Sequence, residues 1–102
     1  MGLLSVQEIV NPQPSIEHGQ KTVSSAGTAE ALVASSTKIR QGVYIKALEG
    51  NSGTVYVGDS DVSSSNGYEL AAGDVVFLAV RDLADIYLDV SSGGEGASFL
   101  AV

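Results

Sequence analysis

The chain has 102 residues, 44% hydrophobic and 17% charged, the size and make-up of one domain with a core and too short for two independently folding catalytic domains. Five basic residues against twelve acidic ones give a formal net charge of -7, a field that disfavours nonspecific attraction to nucleic acid or to an anionic membrane. Cysteine is absent, so disulfides and thiolate sites are excluded.

Residues 1–20 read as an N-terminal arm ahead of a β-sandwich domain over residues 21–102. The opening MGLLSVQEIV lacks the basic leader and continuous apolar run of a secretory signal, and no later stretch nears the roughly 20 apolar residues of a membrane helix. Pro12 and Pro14 fix their own backbone angles and bias the preceding residues toward extended geometry. Leu3, Leu4, Val6, Ile9 and Val10 suit either a helical stripe docked on a body or an extended contact to a neighbouring subunit. Docking is favoured over free flexibility because the arm has apolar surface to bury, and Leu3, Leu4 and Ile9 become candidate interface residues.

From Lys21 onward, short apolar runs alternate with Ser, Gly, Asn and Asp, which predicts seven strands, over residues 21–25, 30–34, 42–48, 54–58, 75–80, 86–90 and 97–102. Seven strands fit a compact all-β sandwich or barrel. In GVYIKAL, Val43, Ile45 and Ala47 share one face and Tyr44, Lys46 and Leu48 the other; Ile86, Leu88 and Val90 likewise oppose Asp85, Tyr87 and Asp89. VVFLAV is apolar on both faces, so either Phe77 or Val76 can belong to the core while the other meets a partner.

EGNSG, with Asn51 between two glycines, predicts a short hairpin joining the third and fourth of these strands. The longer connector GDSDVSSSNGYELAAGD offers turns at Asn66-Gly67 and Gly73-Asp74, with Tyr68 and Leu70 as anchors. A helical turn is expected around residues 82–84, and SSGGEG separates the last two strands.

Chemistry-bearing residues are sparse. His18 is the one imidazole, with neither a thiol partner nor a second His for an ordinary multi-His metal cage, and no G-x-S-x-G elbow activates a serine. Asp59, Asp61 and Glu69, with Asn66 nearby, form the best cation candidate, but an EF-hand frame starting at Asp59 puts Ser64 where glycine is required and Leu70 where glutamate is required. A solvated acidic turn is the expected reading. Neither Walker A nor the dinucleotide fingerprint occurs, and Lys38, Arg40 and Lys46 are too few for a nucleic-acid groove. No catalytic residue, cofactor or metal is therefore expected. Tyr44, Tyr56 and Tyr87 lie opposite the strand valines and isoleucines in this register, and are candidates for an aromatic stripe at a protein interface.

TKIRQGVYIKALEGNSGTVYVGDSDV, followed by NGYELAAGDVVFLAV and DIYLDV, resembles small structural proteins of tailed bacteriophages over residues 29–102, in the manner of a capsid-associated or decoration protein. The resemblance implies a β-sandwich or jelly-roll-like module located on the virion. Its implied partner is the major capsid protein or another virion protein, without nucleic acid or membrane. It also implies self-association, with a trimer preferred by analogy. The expected function is noncatalytic: decorating or stabilising the capsid through distributed contacts. The alternative is a receptor- or carbohydrate-binding β module of a phage tail.

Overall fold

A computed structural model describes residues 15–102. Its strands are β1 (Glu17–Thr22), β2 (Glu30–Ala31), β3 (Val43–Ala47), β4 (Val55–Gly58), β5 (Tyr68–Leu70), β6 (Val75–Leu78), β7 (Tyr87–Val90) and β8 (Gly96–Ala101). They form two antiparallel sheets of four strands: sheet A in the order β1-β8-β3-β6, and sheet B in the order β2-β7-β4-β5.

The pairing explains these orders. β1 pairs with β8, β2 with β7, β3 with β6 and β4 with β5, so the chain forms one long antiparallel ribbon whose successive rungs fall alternately in sheets A and B. The β3–β8 and β4–β7 ladders then join the two rungs within each sheet. The result is an eight-stranded jelly roll.

Period-two alternation builds the core between the sheets. Val43, Ile45 and Ala47 from sheet A face Val55, Val57, Leu88 and Val90 from sheet B, and all are buried. Each of the larger aliphatic side chains stabilises the fold by about 1.5–3 kcal/mol relative to leaving it exposed. Val76 and Phe99 pack against this cluster.

At one open side of the sandwich, Lys21 Nζ on β1 reaches Glu30 Oε1 on β2 at 2.8 Å, linking the two edge strands. That ammonium, then the Ser24 N–H, holds the Glu30 carboxyl below its usual range. A 3-10 turn, Leu83–Asp85, follows β6, with Asp82 capping it by accepting from the Ala84 N–H.

Three expectations change. β1 begins at Glu17, inside the segment expected to be arm, and pairs along six residues with β8. EHGQKT lacks apolar alternation because β1 is a half-exposed edge strand, and only its distant partner makes it a strand. The β3–β4 hairpin does not form: the seven residues between Ala47 and Val55 carry the chain from sheet A to sheet B. Such a connection is longer than the usual two to five residues of a hairpin loop. β5, expected as connector, is a short strand beside β4, with Leu70 buried and Tyr68 exposed. Leu3, Leu4 and Ile9 lie outside the described residues.

Candidate protein-binding face

The outer faces of the two sheets differ. On sheet B, Tyr56 stands directly opposite Asp89 on β7 and Glu69 on β5, and the chain then folds back over it. The segment between β4 and β5 buries Val62, and a Cβ at Gly67 would lie 2.5 Å from the Tyr56 Cβ, so only glycine lets the segment return this closely. Asn66 braces it, accepting from the Ser63 N–H at 2.7 Å and donating to the Asp61 carbonyl at 3.1 Å. A second loop is tied to the same face where the Gly27 N–H donates to Asp89 Oδ1 at 2.9 Å. Gly27 has φ +89, a conformation that favours glycine.

Among the described residues, the outer face of sheet A keeps large apolar side chains exposed. Two registered rows cross its strands from β1 to β6. The first is His18, Leu100, Tyr44 and Phe77; the second is Gln20, Ser98, Lys46 and Val75. Tyr44, Phe77 and Leu100 are 46%, 44% and 44% exposed, and Val75 is 54% exposed. The Tyr44 and Phe77 rings meet at 4.9 Å with a 55° tilt, a favourable edge-to-face type of arrangement. A Cβ at Gly42 would lie 2.5 Å from the Phe77 ring, so this glycine makes room for the ring beside β3. None of the residues in either row is acidic, although the chain carries twelve carboxylates. Lys46 reaches Glu49 at 3.1 Å, and a shallow depression lies between Tyr44, Lys46, Val75 and Leu100.

The expected tyrosine stripe is therefore split. Tyr44 lies on the outer face of sheet A, whereas Tyr56 and Tyr87 share the outer face of sheet B, Tyr56 buried and Tyr87 half-buried. Within each strand the tyrosine lies opposite the inward-facing valines, isoleucine or leucine, but β3 and β4 belong to opposite layers, so equivalent positions point in opposite directions. Phe77, Val75 and Leu100 are the residues that the tyrosine pattern missed. Their signal is in VVFLAV and ASFLAV: a strand apolar on both faces, placed in a two-layer sandwich, leaves one apolar face outside.

The remaining candidates are dispersed. His18 is exposed on edge strand β1, opposite Leu100. In the acidic segment, Asp59 Oδ1 accepts from the Asp61 N–H at 2.9 Å, while Glu69 stands on β5. Among the described residues, no group of three or more His, Asp or Glu side chains is placed to hold a metal ion. Asp85 belongs to the 3-10 turn and Asp89 is buried in β7, so they do not share a strand face. Lys38 reaches Asp82 at 3.3 Å, and the intervening Ile39 is buried.

Two carboxylates organise loops. Asp82 accepts from the Ser36 hydroxyl, the Ala84 and Thr37 N–H groups and Lys38, and these partners, Ser36 foremost, hold it well below the usual carboxylate range. Glu95 accepts from the Ser52 hydroxyl and N–H and from the Gly53 N–H, which lowers its pKa also. Both are explained by the turns they hold. No helix among the described residues is long and apolar enough to cross a membrane.

In comparisons with known proteins, the chain matches no family model, no curated protein and no solved structure.

Proposed function

We propose that this chain is a noncatalytic structural protein of a virion, which decorates or stabilises a bacteriophage capsid through the outer face of sheet A. The observation carrying this reading is that face: Tyr44, Phe77, Val75 and Leu100 exposed together on rows free of carboxylates, in an acidic chain. Clustered aromatic and aliphatic side chains on a rigid sheet suit protein contact, since they bury apolar area with little side-chain ordering. Jelly rolls serve in viral capsid domains, and also in lectins, so the fold is compatible with the reading and does not by itself select it.

The mechanism is repeated burial. One such face is smaller than a self-sufficient interface, but a lattice of identical sites lets several modest contacts act together. Attachment of a self-associated unit, with a trimer as the preferred state, to the major capsid protein or another virion protein uses that multiplicity.

The test is reconstitution onto particles lacking the chain, comparing the natural protein with a Tyr44→Ser/Phe77→Ser variant. Both side chains lie nearly half exposed on the outer face and outside the core, so the strand-rich circular dichroism should be kept while particle occupancy at limiting protein drops at least tenfold, equivalent to ~1.4 kcal/mol. Full occupancy by a folded variant would remove this face from the attachment. A Tyr56→Ser variant makes the opposite comparison: Tyr56 lies beneath its loop, so stability should suffer.

A further inference from the structure

We propose that Asn66-Gly67 is a self-modification site held in check by the fold: deamidation of Asn66 proceeds only when the segment between β4 and β5 opens, and its isoaspartyl product cannot close again over Tyr56. The reaction belongs to the chain alone and stands independently of any virion role.

Asparagine followed by glycine is the pair in which this chemistry is least hindered, because glycine has no side chain to block the approach of its own backbone nitrogen. The Gly67 nitrogen, after giving its proton to hydroxide, bonds to Asn66 Cγ. The Cγ–Nδ2 bond breaks, ammonia leaves and a succinimide ring results. Water then opens the ring at one of its two carbonyls. One opening yields an aspartyl residue; the other yields an isoaspartyl linkage, in which the former side-chain carbons carry the backbone.

Three observations place this reaction under the control of the fold. Solvent reaches the amide, since Asn66 is exposed and lines an open depression with Gly58, Asp59 and Val62. The nucleophile is engaged: the Gly67 N–H donates to the Ser63 carbonyl at 2.9 Å, a bond that must break before the nitrogen can turn toward Cγ. The electrophile is held as well, because Asn66 Oδ1 accepts from the Ser63 N–H and Nδ2 donates to the Asp61 carbonyl. Between the two strands Val62 is the buried anchor, while Ser64 and Ser65 are exposed, so the segment opens at less cost than the sheets.

Reclosure fails for a steric reason. The isoaspartyl linkage adds one backbone atom between Ser65 and Gly67. A Cβ at Gly67 would lie 2.5 Å from the Tyr56 Cβ, 2.8 Å from Val62 Cγ2 and 3.0 Å from the Ser63 carbonyl oxygen, so one more carbon has no room there. Neither end can yield: β5 begins at Tyr68, in register with Val57, and Val62 is buried at the other end. The amide that donated to the Asp61 carbonyl is lost at the same time.

The experiment incubates the full-length chain at mildly alkaline pH, folded and in urea, and follows deamidation at Asn66 by peptide mapping and mass spectrometry. The reaction should run roughly tenfold or more slower in the folded chain, where only the open fraction reacts. Val62→Ala, which trims the anchor and leaves Asn66 and Gly67 in place, should speed it in the folded chain with the strand-rich circular dichroism kept. The isoaspartyl fraction, separated by ion exchange and identified with an isoaspartyl methyltransferase, is then nitrated with tetranitromethane. In the natural chain Tyr44 should react and Tyr56 be spared; in the isoaspartyl fraction Tyr56 should react as Tyr44 does, again with the strands kept. Equal rates in the folded chain and in urea, or a folded Val62→Ala protein reacting at the natural rate, would overturn the control by the fold. An isoaspartyl protein that still shields Tyr56, or that loses its strands altogether, would overturn the failure to reclose.

Discussion

At the scale of single residues, carboxylates hold the loops of this jelly roll. Asp82 gathers Ser36, Thr37, Lys38 and Ala84, joining the segment before β3 to the turn before β7. Its folded pKa is depressed, as are those of Glu30 and Glu95. In each case the unfolded chain takes up its proton at higher pH than the folded chain. The stabilisation is thus complete above the ordinary carboxylate pKa, near pH 4, and declines as pH falls through and below that value. Thermal melts should show the midpoint dropping below about pH 4, and Asp82→Asn should lower it at neutral pH and flatten that acid slope. An Asp82→Asn protein with the natural slope would assign the acid sensitivity elsewhere. Asp89 acts differently: buried in β7, it holds the Gly27 loop against sheet B.

At the scale of elements, strand interiors and connections carry separate parts of the stability. Ile45 and Leu88 sit fully buried on facing sheets, so Ile45→Ala or Leu88→Ala should cost about 2–5 kcal/mol, read as a lower urea midpoint without a change in slope. The β3–β4 connection depends instead on polar bonds at its surface. Glu95 holds Ser52 and Gly53, while the Asn51 side-chain amide donates to the Gly96 carbonyl at 2.9 Å. Glu95→Ala should speed amide exchange at Ser52 and Gly53 and leave Ile45 and Leu88 protected. Exchange that rises equally in the sheets would mean that this connection is part of the global unfolding unit. The same bonds explain why EGNSG closes no hairpin: the Asn51 N–H turns back to the Leu48 carbonyl, while its side chain ties the connection to β8 as the chain crosses to the opposite sheet.

At the scale of the whole molecule, the asymmetry between the two outer faces is the feature on which the proposed attachment rests. Loops cross sheet B and bury Tyr56, while the rows of sheet A present Tyr44, Phe77, Val75 and Leu100 to solvent. The attachment proposed above would draw on apolar burial and would require no ion. Removing divalent cations by chelation should therefore leave the melting temperature and particle occupancy unchanged. Stoichiometric metal in the purified protein, with attachment lost on chelation and regained on metal addition, would turn attention to Asp59, Asp61 and Glu69.

The sequence by itself determined most of the strands and their inward sides, because alternation such as Val43-Tyr44-Ile45-Lys46 is local and repeats at the pleat of the backbone. It also determined the 3-10 turn after Asp82 and the turn at Gly73, whose φ is +83. Which strands share a sheet was decided only by the tertiary structure. β1 is polar and becomes a strand through β8, far along the chain, while β3 and β4 are close in sequence and end in opposite layers. Alternation marks two sides of a strand without saying whether the outer one meets water, a loop or a neighbour. Tyr44 and Tyr56 have equivalent local patterns, yet a loop closes over Tyr56 and leaves Tyr44 beside Phe77 and Leu100, because burial depends on what the rest of the chain brings to each face.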